Sequence, residues 1–233
     1  KWSLVMGANH NASPKYVGFE NQGDIILRRN PDGEDRADGS VGMAVAVDSS
    51  LSPGRFVSIN YDAAKNTKTG EIKLQDNIQG ALGAYIDVAS NFTNEGLIEV
   101  SAIAKPSAAQ QEPAYNVALY AKQVQSANKG TLPSVYQQSK KYQTGLINAA
   151  GAQIVLSGDY AAGMLASGKE SGVFNDLKEQ HAIAENMGSI TSGTGRTVVK
   201  NIAMLADKQA EIVNRGQIEF NEARRSIGMM ITK

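Results

Sequence analysis

Cysteine is absent from the chain. That excludes disulfides, thiolate nucleophiles, iron–sulfur clusters and cysteine zinc sites, and it leaves the redox compartment open. Histidine is nearly absent too, with only His10 and His181 to serve as acid–base groups or metal ligands. Charge of one sign is lacking: 23 Lys and Arg balance 23 Asp and Glu. A net charge of zero supplies no long-range field to gather nucleic acid or an anionic membrane. No run of 18 apolar residues is present, so no ordinary transmembrane helix is encoded. The chain opens at Lys1 without a methionine, which points to a removed leader or to a fragment of a longer product.

What is present is a globular composition, 42% apolar and 20% charged, in a chain of 233 residues that can bury a core without staples. Up to about residue 105 the signals are those of strands. In residues 41–47, Val41, Met43, Val45 and Val47 alternate with Gly42, Ala44 and Ala46, which predicts a strand covered on both sides. Residues 14–20, 23–30, 80–90 and 95–105 read as further strands. Residues 55–75 read as a hairpin around a polar loop that ends at Gly70. Seven or so short strands predict an antiparallel sandwich or barrel. The stretch 105–113, with Pro106 and Pro113, reads as a linker.

Beyond the linker the spacing predicts helices. Pro113 and Pro133 stand at helix entries, and residues 171–188 carry Val173, Leu177, His181 and Ala184 at helical intervals. In the last stretch the row Val198, Ile202, Leu205, Gln209, Ile212, Gly216, Phe220, Ala223, Ile227 steps by three or four, with Gln209 and Gly216 as soft spots. Residues 228–233 read as a short closing strand. No tandem repeat or low-complexity tract stands out. The expected fold class is therefore α+β: a β-sandwich or barrel-like unit over 1–106, then a helical unit over 107–233, as two units or as one continuous domain.

Several stretches invite a chemical reading. "GSITSGTGRT", residues 188–197, has P-loop glycine spacing at Gly188 and Gly193, but Thr194 and Gly195 stand where Lys and Ser or Thr are required. It reads instead as two helix caps, Gly188 closing one helix and Thr194 or Thr197 opening the next. The acids Asp32, Glu34, Asp35 and Asp38 share one loop, but the calcium-loop spacing fails and Arg28, Arg29 and Arg36 offset them, so a solvated turn is favoured. His181 and Glu185 lie four apart, which on a helix gives half a metal site at most. Neither His10 nor His181 is accompanied by a nucleophile elbow. Residues 144–168 combine many glycines and alanines with Ile147, Ile154, Val155, Leu156, Met164 and Leu165. Gln153 and Asp159 oppose membrane insertion, so intimate protein–protein packing is preferred. Asn11 and Asn91 begin formal glycosylation sequons and carry no weight here.

A chain without the usual means of handling protons, metals or phosphate is expected to work by contact. No catalytic, cofactor or metal residue is assigned. The first expectation is a non-enzymatic assembly subunit of a virion or bacterial envelope complex, packing against copies of itself and other assembly proteins through Val198, Ile202, Leu205, Ile212 and Phe220. The second is an exported cell-surface binding module or adhesin. The third is a hydrolase that uses His10 or His181.

Overall fold

The computed structural model describes residues 4–9, 19–29, 38–46, 64–87, 91–104, 114–122, 144–168, 182–208 and 210–232. Sheet A contains β1 (Leu4–Asn9), β4 (Val41–Ala46), β7 (Leu82–Asp87), β10 (Asn116–Lys122), β13 (Ala161–Ser167), β17 (Ile202–Asp207) and β21 (Ile227–Thr232). Sheet B contains β2 (Phe19–Asn21), β5 (Ala64–Asn66), β8 (Asn91–Asn94), β11 (Thr144–Asn148), β14 (Ala182–Asn186) and β18 (Glu211–Asn214). Sheet C contains β3 (Asp24–Leu27), β6 (Glu71–Leu74), β9 (Leu97–Val100), β12 (Gln153–Leu156), β15 (Ser189–Ser192) and β19 (Gln217–Glu219). Two short strands, β16 (Val198–Val199) and β20 (Ala223–Arg224), pair separately. The chain visits A, B and C in turn, and each strand pairs in parallel with its equivalent one circuit later. This is a parallel β-solenoid, a fold stabilised by neighbour-on-neighbour stacking.

The interior is made of stacked like residues. In sheet C, Ile25, Ile72, Ile98, Ile154, Ile190 and Ile218 lie in one register column. Leu27, Leu74, Val100 and Leu156 form the next column. Sheet B contributes Ala64, Phe92, Leu146 and Ala184, and sheet A contributes Met43, Leu119, Met164 and Met204. Each fully buried aliphatic side chain contributes about 1.5–3 kcal/mol of burial.

The B-to-C corner is fixed by an asparagine ladder. Asn21 Nδ2 donates to Asn66 Oδ1 at 2.9 Å. Asn66 donates likewise to Asn94, Asn94 to Asn148, Asn148 to Asn186 and Asn186 to Asn214, each at 2.8 Å. A glycine follows each of them. At Gly96 an added Cβ would lie 2.3 Å from the carbonyl oxygens of Thr67 and Gly70, so the coil can stack this closely only without a side chain there.

The α+β expectation is overturned. Among the described residues there is no helix, and the sheets are parallel rather than an antiparallel sandwich. Strands expected at 41–47, 80–90 and 95–105 are present as β4, β7 and β9. The hairpin assigned to 55–75 fails: its second arm, β6, pairs in parallel on both edges, with β3 and with β9, while its first arm lies outside the described residues. The helices expected over 113–128, 132–156, 171–188 and 197–228 are overturned: their described residues form strands β10, β11, β12, β14 and β16 to β21 and the corners between them. The same three sheets run on past residue 107, and the linker at 105–113 lies outside the described residues. The expected closing strand at 228–233 corresponds to β21. Among the described residues no helix is long and apolar enough to cross a membrane.

Candidate binding surface

Sheet A differs from B and C because both of its faces are apolar. Strands of B and C alternate buried and half-buried positions, as β6, β8 and β9 show. Six of the seven residues of β13 are buried. The inward face joins the core through Met43, Leu119 and Met164. The outward face forms a separate cluster of Val41, Leu82, Val117 and Ala162, packed against Ala44, Tyr85, Tyr115, Tyr120 and Leu165.

Register turns this cluster into a strip along the solenoid axis. Ala44, Tyr85, Tyr120, Leu165, Leu205 and Met230 are direct neighbours on successive strands. In-sheet strand spacing places successive members about 4.8 Å apart. The Tyr85 and Tyr120 rings meet edge to face, with centroids 5.5 Å apart and an interplanar angle of 71°. Beside the strip, at the corner entering sheet A, Tyr115 and Tyr160 make a second such pair at 5.8 Å. The Lys200 ammonium lies 5.3 Å above the Tyr160 ring centroid.

The backbone holds this corner rigidly. Tyr160 and Lys200 have φ of 52° and 57°, a left-handed conformation uncommon for residues with a side chain. Asn201 locks it: Oδ1 accepts the Ala161 N–H at 3.0 Å, and Nδ2 donates to Leu156 and Gly158 carbonyls at 3.1 and 3.0 Å. Asn116 does the same two coils earlier, through Ala81 N–H and the Ile78 carbonyl. The half-buried aromatic rings, packed over the buried Val41, Leu82, Val117 and Ala162, are therefore held in a fixed frame.

A polar margin borders the strip. Ser167 Oγ donates to Asp207 Oδ2 at 3.4 Å, and Thr232 Oγ1 donates to Asp207 Oδ1 at 3.0 Å. Burial pushes the Tyr120 phenol above its ordinary pKa, hydrogen bonding by Ser167 offsets part of this, and the Asp207 charge adds to the rise. Across the corner, Arg28, Arg29, Asp76, Asn77, Ser101 and Ile103 line an open groove of about 510 Å³.

The residues singled out by sequence are scattered. Val198 is buried in β16. Ile202 and Leu205 share the outward face of sheet A with the strip, by register with Ala162 and Leu165. Ile212 and Phe220 pack on the core from elsewhere in the coil. They share no helical face. His10, His181 and residues 30–37 lie outside the described residues. Glu185 is a strand residue, ion-paired to Arg215 at 2.7 Å, so the helical His181–Glu185 geometry does not exist. The "GSITSGTGRT" stretch caps no helix: Gly188 closes an asparagine corner, and β15 follows at once. Its Arg196 is bound to Asp159 at 2.8 Å and to the Ser157 carbonyl at 3.2 Å, so the loop is clamped to the coil before it. Among the described residues no group of three or more His, Cys, Asp or Glu could hold a metal ion.

Sequence reasoning missed Tyr85, Tyr115, Tyr120, Tyr160 and Lys200. The signal was available: Tyr85 follows Leu82, and Tyr120 follows Val117, by the same three residues in aligned strands.

Parallel coils, an asparagine corner and one doubly apolar sheet define a pectate-lyase-like solenoid. Residues 48–233 match the family described as BigA third pectate lyase-like domain, and the chain belongs to that family. No curated protein and no solved structure gave a match.

Proposed function

We propose that this domain is a non-catalytic binding module of an exported bacterial surface protein, of adhesin type, and that it engages its ligand along the outward face of sheet A. The observation that carries this reading is the register-aligned strip of Tyr85, Tyr120, Leu165 and Leu205 beside the Tyr115–Tyr160 corner. Aromatic rings held on a rigid frame bind apolar faces of sugars or proteins with little ordering cost. A strip along the axis suits an extended ligand. Membership of the BigA domain family supports a surface setting better than a virion or assembly role.

The test is binding of the purified domain to arrayed glycans and to host-cell surfaces, beside the double variant Tyr85→Ala, Tyr120→Ala. Wild-type binding with a loss of about tenfold or more in the variant is expected, as for paired aromatic anchors. Equal binding by both proteins would remove the strip from the reading. The family's descriptive name also suggests a polysaccharide-cleaving alternative. Incubation with polygalacturonate, with and without calcium, is expected to leave the polymer's size distribution unchanged. The hydrolase alternative is addressed by replacing His10 and His181 together in any preparation that shows activity.

A further inference from the structure

We propose that the groove at the corner between sheets C and A is a second ligand site, separate from the tyrosine strip, and that it takes an N-acylated acidic sugar through a single carboxylate. Arg28, Arg29, Asp76, Asn77, Ser101 and Ile103 line it, around a volume of about 510 Å³. Pockets that hold small ligands span about 300–1,000 Å³, so one sugar residue fits. The walls come from three successive C-to-A connections: Arg28 and Arg29 follow β3, Asp76 and Asn77 follow β6, and Ser101 and Ile103 follow β9. A groove that crosses three coils lies on the side of the stack and not on its end.

The three connections are laced together. Gln75 N–H donates to the Leu27 carbonyl at 2.9 Å, and Ile103 N–H donates to the Asp76 carbonyl at 2.7 Å. Ser101 and Ala102 N–H both donate to the Leu74 carbonyl, at 2.9 and 2.8 Å, and Ser101 Oγ donates to it at 3.2 Å. Asp76 turns the middle connection with φ of 64°, in the left-handed region where Asp and Asn are enriched. The backbone of the groove is therefore fixed by the coil frame and needs no ordering when a ligand binds.

The charged groups in the groove are not spent on one another. Among the described residues neither Arg28 nor Arg29 pairs with an acid, and Asp76 pairs with no base. Arg28, Arg29, Asp76 and Asn77 are exposed, while Ser101 and Ile103 are half-buried. A guanidinium fork matches a carboxylate, which it holds by two parallel hydrogen bonds. Asp76 imposes the opposite demand: its carboxylate accepts hydrogen bonds and repels further negative charge. The ligand must therefore join one anionic group to hydroxyl or amide donors. Asn77 both donates and accepts, and Ile103 offers a small apolar wall for a methyl group. A sugar with one carboxylate, free hydroxyls and an acetamido group carries all of these features.

Asp76 also separates this site from a general anion sink. A polymer of uronates or sulfates brings repeated negative charge past that carboxylate, and so does a run of acidic side chains in a peptide. A terminal sugar brings one charge. The acids Asp32, Glu34 and Asp35, which follow the two arginines in sequence, lie outside the described residues, and the experiment treats them as a rival occupant.

The experiment titrates the chain with the methyl glycoside of N-acetylneuraminic acid, followed by ligand-observed NMR, beside glucuronate, inorganic sulfate and a tetraglutamate peptide. Saturable binding of the first is expected, about threefold or more tighter than any of the others. Arg28→Ala with Arg29→Ala is expected to weaken it about tenfold or more, as for a lost charge-assisted pair. Asp76→Asn places a residue tolerated at φ of 64° and is expected to weaken it about threefold or more. Tm is expected to move by no more than about 2 °C in these variants, because the replaced side chains are exposed. Tighter binding by Asp76→Asn would mark a plain anion sink, and equal binding of tetraglutamate would mark a peptide site; each overturns the proposal, as does an absence of saturation or indifference to the arginines. A variant with Asp32→Asn, Glu34→Gln and Asp35→Asn is expected to bind as the parent does. Binding seen only in that variant would assign the arginines to the chain's own acids and overturn the proposal. The groove lies apart from the strip, so loss here and loss in the Tyr85→Ala, Tyr120→Ala protein report separate sites.

Discussion

The asparagines of the corner show how one side chain specifies a coil. Asn94 accepts from Asn66 and donates to Asn148 Oδ1 and to the Gly96 and Gln153 carbonyls. Asn94→Ala removes both capacities and leaves buried partners unsatisfied. Urea denaturation is expected to show a loss of about 2–4 kcal/mol, set by the desolvation of those partners. Asn214→Ala, at an exposed rung, is expected to cost under about 0.5 kcal/mol. Equal losses at the two sites would show that the ladder is incidental to stability. Tyr120 makes a different residue-scale prediction. Its phenol is held above the ordinary value near 10, chiefly by burial. A raised folded-state value means the native state holds the proton more tightly, so this contribution is complete below about pH 10 and is lost as pH rises through the raised value. Ultraviolet titration is expected to show a late-ionising phenol that Tyr120→Phe removes.

At the scale of elements, the strands of the first half were legible and their partners were not. Sheets B and C bury alternate residues, as in β8 and β9, and that period is the one expected of antiparallel sheets with one wet face. Only non-local pairing reveals that neighbours in the sheet come from successive circuits. The second half was misread because short strands and corners mimic a helical row. Val198, Ile202 and Leu205 step by three or four, yet they fall in β16 and β17 with a corner between them. Gly216 interrupts that row, and a helix interior pays about 1 kcal/mol for such a residue. The repeat itself was written in the sequence. Asn, a following Gly and then Ile recur as Asn21-Gly23-Ile25, Asn94-Gly96-Ile98, Asn186-Gly188-Ile190 and Asn214-Gly216-Ile218. Sheet A adds its own recurrence in residues 41–46, 82–87, 117–122, 162–167, 202–207 and 227–232. Ladder spacings of 45, 28, 54, 38 and 28 residues hid the period, because segments of unequal length separate the coils. The candidate surface was less legible still, since it exists only once Tyr85 and Tyr120 are stacked. A glycine test at this scale is Gly96→Ala. The added methyl meets two carbonyl oxygens, and a loss of about 2 kcal/mol or more is expected by thermal melting, as for other sites of enforced close approach.

For the whole molecule, a stack in which each coil touches only its neighbours behaves as a one-dimensional chain of interfaces. Its stability is therefore a profile along the axis and not one number. The isoleucine column of sheet C samples that profile with the chemistry held constant. Ile98 is fully buried between Ile72 and Ile154, while Ile218 ends the column and is only partly buried. Ile98→Ala opens a cavity that both neighbouring coils must bridge, and a cost of about 2–5 kcal/mol is expected. Ile218→Ala removes a group with one stacked neighbour, and its cost is expected to fall below about 1.5 kcal/mol by the same scaling of loss with buried area. Hydrogen exchange should follow the same gradient, fastest in β21, β18 and β19 and slowest at β9 and β12, because opening from the uncovered end breaks one interface while opening in the middle breaks two. A flat exchange profile, with equal losses at Ile98 and Ile218, would mean that the solenoid unfolds as a single cooperative block and that its uncovered end is no weaker than its centre.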